Sequence, residues 1–145
     1  MQLSREAKLV SGIILLSIPT IMYGGITLLS ILTQGVSGFG AEGIALDEVQ
    51  FALWRAGHAH AGVWVILSLV MQILIDSAKL SSSMKWLSRV SAPIAAVSIS
   101  GGFFGVAFLP EFRWLIYFGT FNLLLSALLT GVGLLKNLRI AHLHT

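Results

Sequence analysis

The sequence predicts an all-α polytopic membrane protein, a four-transmembrane-helix bundle in one domain, residues 1–145, with both termini cytoplasmic. Three observations predict it. The chain is 56% hydrophobic and only 10% charged, with a mean hydropathy of +0.89, a membrane composition. The charges punctuate four uncharged runs: Leu9 to Ala41, Ala56 to Ile75, Val90 to Pro110 and Trp114 to Leu135. Each holds the roughly 20 residues that a helix needs to cross a hydrocarbon core of about 30 Å. Finally, seven of the nine basic residues fall on one side of the resulting topology.

The first helix is expected at about 9–33. Its apolar run is much longer than a signal-peptide core, and no small-residue cleavage site follows a short one, so it is read as a retained helix. Pro19 predicts a bend, with Gly24 and Gly25 just beyond. The connection "TQGVSGFGAEGIALDEVQ", with Gly35, Gly38, Gly40 and Gly43, reads as an outer surface loop. The second helix is expected at about 51–75, and "DSAKLSSSMK" is the cytoplasmic connection after it. The third is expected at about 88–109. It carries "SISGGFFG", in which Gly101 and Gly105 form one small-residue row and Ser98 and Gly102 another. Such rows let helices approach closely in lipid, and packing is preferred over clearance for a ligand. "LPEFRW" is a tight turn, because Pro110 stops one helix and the next, at about 113–135, restarts almost at once. The last two helices should therefore form an antiparallel hairpin.

Arg5 and Lys8 precede the first helix, Lys79, Lys85 and Arg89 flank the second connection, and Lys136 and Arg139 follow the last helix. The positive-inside rule puts all of them in the cytoplasm. Glu42, Asp47, Glu48 and Glu111 then lie outside. This flanking pattern accounts for the pI of 9.7 and argues against nucleic-acid binding, which needs a clustered basic patch. The absence of cysteine excludes disulfides and thiolate metal sites.

One stretch breaks the apolar pattern: "RAGHAHAGV", Arg55 to Val63. Ionisable groups at bilayer depth are costly and mark function by default. His58 and His60 lie about 200° apart around a helix, so they serve opposite faces and cannot easily chelate one ion together. Ala56, Gly57, Ala59, Ala61 and Gly62 strip bulk from both faces, leaving room for a flat macrocycle or a neighbouring backbone. Arg55, one turn outward of His58, is a natural partner for a haem propionate, with Arg113 as a second such cation. His58 is expected about 10–12 Å inside the outer helix end, level with Asn122 and Ser100 to Gly102. Asn122 and Ser100 are expected to hydrogen-bond across helices. His142 and His144 read as solvated tail residues. Proton relay and plain packing are the other readings of the histidine pair.

"GHAHAG" with its sequel "VWVILSLV" resembles a helix of the haem–copper oxidase superfamily, which includes the cytochrome oxidases and nitric oxide reductases. In their catalytic subunit, H-x-H on one helix binds low-spin and high-spin haems on opposite faces, and "RAGH" is similar to the helix bringing the other low-spin ligand. That subunit has twelve helices in three pseudo-symmetric four-helix arcs, with haem ligands on second helices. The present chain resembles one such arc. The resemblance implies that His58 and His60 are haem-iron ligands; Arg55, Arg113, Gly57 and Gly62 are expected around the cofactor from the charge and small-residue pattern. It covers one helix of four. The other helices lack histidine, so the family's copper cluster has no counterpart and oxygen reduction is not expected.

The expected protein is thus a b-type haem protein, its haem (Fe) held without thioether links, in the outer half of a prokaryotic cytoplasmic (inner) membrane. Electron transfer with a redox partner, or gas binding, is its expected role. A homo-oligomer sharing haem between His58 of one copy and His60 of the next is expected, as a trimer, with a dimer as the alternative. Met22 is a second axial ligand if the protein is a monomer. A proton or metal-ion transporter and a cofactor-free assembly scaffold are the alternative functions.

Overall fold

A computed structural model describes residues 2–33 and 44–141, with side chains to residue 136. The connection with Gly35, Gly38, Gly40, Glu42 and Gly43, the Arg139 side chain, and His142 and His144 lie outside the described residues. The fold is all-α, with α1 (Arg5–Leu32), α2 (Glu48–Ser77), α3 (Ser82–Val106) and α4 (Arg113–Ala141). All four are long and apolar enough to cross a membrane, and the chain is a multi-pass membrane protein.

The helices begin earlier than the hydrophobic runs, because caps rather than hydropathy set their ends. The Ser4 side chain accepts from the Ala7 backbone N–H at 3.1 Å, so Arg5 and Lys8 lie within α1. Asp47 and Gln50 form a reciprocal capping box at α2, with bonds of 2.8 and 3.1 Å. Ser81 caps α3 through Met84 N–H. The turn between α3 and α4 is the tight one expected: Pro110–Phe112 is a single 3₁₀ turn. α1 continues through Pro19 as one helix.

Neighbours in sequence pack antiparallel. Ser4 meets Asp76, Gln50 Nε2 donates to Ala107 O at 3.0 Å, and Ser88 meets Ser126 and Thr130. The start of α1, the α2–α3 connection and the latter part of α4 therefore share one end, where Lys79 N–H also donates to Gly133 O at 2.9 Å. Among the described residues α1 and α4 do not meet, so the bundle is an open arc running α1, α2, α3, α4. α3 is its centre: 44% of its most apolar window is buried, against 11% for α1.

The α3–α4 seam explains the small residues. A Cβ added at Gly102 would stand 2.5 Å from Ile116 Cγ1 and 3.0 Å from the Ile116 backbone N. One added at Gly119 would stand 2.9 Å from Ile99 N. Packing is thus the role of this row, as expected, but its face includes Ser98, Gly102 and Gly105; Gly101 meets nothing within 4 Å. Below it, Ser88 Oγ bonds with Thr130 Oγ1 at 2.8 Å, and Ser126 Oγ donates to Ser88 O at 2.8 Å. The outer faces of α1 and α4 are apolar and exposed, for example Leu16, Phe121 and Leu128, as lipid contact requires. Trp114 and Tyr117 at one end and Trp86 at the other stand where interfacial aromatic residues belong.

Candidate functional site

α2 carries His58 and His60 to opposite seams of the arc. His60 faces α3: its ring stacks on Phe103, with centroids 4.7 Å apart and planes 27° apart. Its Nδ1 lies 2.7 Å from Ala56 O, one turn back. A carbonyl oxygen only accepts, so Nδ1 carries the proton and donates it. In the neutral ring, Nε2 then holds the free lone pair.

His58 faces α1. Its ring lies against Gly24 and Gly25, where a Cβ on Gly25 would stand 3.0 Å from Cε1 and 3.1 Å from Nε2. The two glycines, expected only to follow a bend, form a notch for this imidazole. Among the described residues no hydrogen bond holds the His58 ring, and it is half-buried.

The remaining predicted residues fall as follows. Gly57 meets α3, where an added Cβ would be 3.1 Å from both Ser100 O and Phe104 Cε2. Its bareness admits a neighbouring backbone, and the contact confirms that Ser100 lies level with the histidines. Gly62 faces open space. Arg55 is exposed, its guanidinium carbon 5.9 Å from the Phe51 ring centroid; Arg113 is exposed over Trp114 at 5.8 Å. Met22 is 62% exposed on α1, so its thioether stands among the lipid-facing side chains. Because α2 starts at Glu48, His58 lies about 15 Å from the helix start, against the roughly 10–12 Å expected.

Two expectations are corrected. Asn122 does not bond across helices; its Nδ2 donates to Phe118 O, one turn back on α4, at 2.9 Å. Ser100 Oγ is buried and has no partner among the described residues. Close backbone packing at Gly57 and Gly102 leaves both groups to local bonds or none. Trp54 Nε1 and Trp64 Nε1, about one turn on either side of the histidines, are also buried without partners among the described residues. Unsatisfied polar atoms therefore gather around the imidazole layer.

A polar cluster at the other end is missed by the sequence reading. Arg89, expected as an interfacial flank, is buried. It pairs with Asp76 and donates to Gln72 O at 3.2 Å and Ser4 Oγ at 3.2 Å. Asp76 Oδ2 accepts from Ser4 N–H at 2.9 Å, and Lys85 Nζ donates to Asp76 O at 3.0 Å. The available signal was an acid and a base of opposite sign on either side of a short connection.

The chain matches no known protein family, no curated protein and no solved structure. Among the described residues, no three of His, Asp and Glu gather as a metal site.

Proposed function

We propose that the protein is a membrane b-type haem protein, with His58 and His60 as iron ligands. The observation that carries this reading is the fixed tautomer of His60. Its Nδ1–H is bound to Ala56 O, which leaves Nε2 oriented as a ligand nitrogen, the usual arrangement for metal-bound histidine. A centre with so few protein donors suits haem, because the porphyrin supplies four nitrogens itself. The unpartnered atoms of Trp54, Trp64 and Ser100 around the histidines further support a layer with contacts still to be made. His58 would ligate after turning from its glycine notch, and Arg55 and Arg113 are exposed cations suited to propionates. Bound haem would supply a one-electron iron centre for electron transfer, or a gas site where one axial position stays open.

The opposite facing of the two imidazoles supports a homo-oligomer in which each haem lies between His58 of one copy and His60 of the next. The sequence resemblance of this chain to one arc of a three-arc subunit favours three copies over two. The basic residues near both chain ends support cytoplasmic termini, which would put the histidine layer in the outer half of the membrane.

The test is an absorption spectrum of the full chain, extracted in mild detergent from haem-replete cells. Reduced protein should show sharp α and β bands. Colourless protein that takes up no added hemin overturns the reading.

A further inference from the structure

Two cavities share the seam between α1 and α3, away from the histidines. The first, about 370 Å³, lies at the end shared by the α1 start and the α2–α3 connection. Glu6, Ser82, Lys85 and Trp86 line it, with the Asp76–Arg89 pair at its floor. The second, about 480 Å³, is apolar and lies one to two turns further along both helices. Val10 and Ile14 of α1 and Pro93, Ile94 and Val97 of α3 line it. From Val90 to Ser98 the groove follows α3 for about 12 Å, close to one leaflet's share, about 15 Å, of the hydrocarbon core.

The charges of the polar cavity sort into a pattern. Asp76 and Arg89 neutralise each other in the one ion pair among the described residues. That leaves one cation and one carboxylate. Lys85 gives one donor to Asp76 O and keeps two free N–H bonds. Glu6 has no ion-pair partner among the described residues. A single positive group beside a single negative group, above an apolar groove of leaflet depth, matches a lipid headgroup that carries both charges.

We infer that this seam binds a zwitterionic aminophospholipid, a phosphatidylethanolamine, in the leaflet on the side of the chain termini. Its phosphate rests on Lys85 and the Ser82 hydroxyl. Its primary ammonium donates to the Glu6 carboxylate beside the Trp86 ring, whose face also attracts cations. One acyl chain lies along Val10, Ile14, Pro93, Ile94 and Val97. A quaternary choline cannot donate a hydrogen bond to Glu6, and a glycerol headgroup has no cation to offer it, so the site discriminates among phospholipids of equal chain length.

The experiment is native mass spectrometry of the delipidated full chain. It is titrated with dioleoyl phosphatidylethanolamine, phosphatidylcholine and phosphatidylglycerol. The ethanolamine lipid should be retained about threefold to fivefold better than either of the others, the scale of one exposed charge pair. Glu6→Gln should erase that preference while phosphate lipids still bind. Lys85→Gln should weaken all three. Val97→Trp fills the groove from a position 74% exposed, and should weaken all three with helix content unchanged. Equal retention of the three lipids, preference for the glycerol lipid, or an ethanolamine preference that survives Glu6→Gln would overturn the inference. So would binding of water-soluble glycerophosphoethanolamine as tightly as the lipid.

Discussion

Arg89 shows how much one side chain can tie together. Its guanidinium serves Asp76 and Gln72 on α2 and Ser4 at the start of α1, while Gln72 Nε2 returns a bond to Arg89 O at 3.1 Å. A buried pair costs much desolvation when formed, but removing one partner leaves the other charge uncompensated. Arg89→Ala should therefore destabilise the protein by about 3–5 kcal/mol, read as a lower midpoint of thermal unfolding in detergent. Replacing both partners, Asp76→Asn with Arg89→Gln, should recover most of the loss; if it recovers none, the pair is not the cause. This cluster was illegible in the sequence because a charge count reports the side of the membrane and not the depth of a side chain. Arg55 is the contrasting case, an exposed arginine whose position was legible. Under the haem proposal, Arg55→Gln removes a positive charge near a propionate. The oxidised iron then gains relative stability, so the midpoint potential falls, and haem is lost about twofold to fivefold faster, as for an exposed pair. Unchanged potential and retention would make Arg55 an interfacial anchor only.

Among the elements, the α3–α4 hairpin is held by backbone approach. Gly102 and Gly119 each face the partner's backbone, so an added methyl cannot be relieved by rotating a flexible side chain. Gly102→Ala should cost about 1–3 kcal/mol as overpacking. Gly101→Ala, one residue away and open, should instead stabilise by about 0.5–1 kcal/mol through helix propensity. Equal effects of the two in a detergent unfolding assay would mean that the seam is looser than its geometry. The existence of all four helices, and the turn at Pro110, was legible because each run is long and uncharged. Their ends were not, since Ser4, Asp47 and Ser81 extend α1, α2 and α3 beyond the apolar residues. Nor was the packing face of α3. Two small-residue rows overlap in "SISGGFFG", and one residue turns a helix by about 100°, so the pattern alone cannot choose between Gly101 and Gly102. The notch at Gly24 and Gly25 was hidden for a similar reason: a glycine pair after a proline reads as a bend until the facing imidazole is placed.

For the whole molecule, the consequential feature is that the arc stays open. α1 and α4 do not meet among the described residues, and His58 and His60 stand at opposite seams of the helix between α1 and α3. One chain therefore cannot place both imidazoles on one iron without unwinding α2. Among the described residues there is no third histidine, so a haem with two histidine ligands from them needs a second chain, and a contact that joins unlike surfaces repeats by rotation until it closes. In a ring, each α2 serves two haems, and each haem takes His58 from one copy and His60 from the next. A dimer about a two-fold axis would instead pair His58 with His58, or His60 with His60. These geometries differ in what single substitutions do. In the ring, His58→Ala and His60→Ala each remove one ligand from every haem, so both should change the reduced spectrum from six-coordinate to five-coordinate. Both should also weaken assembly, seen as a smaller protein mass by light scattering in detergent. In the dimer, one of the two variants should leave the spectrum intact. A haem-loaded monomer with bis-histidine spectra would defeat both arrangements, since it would require one chain to supply two ligands that its own second helix turns apart.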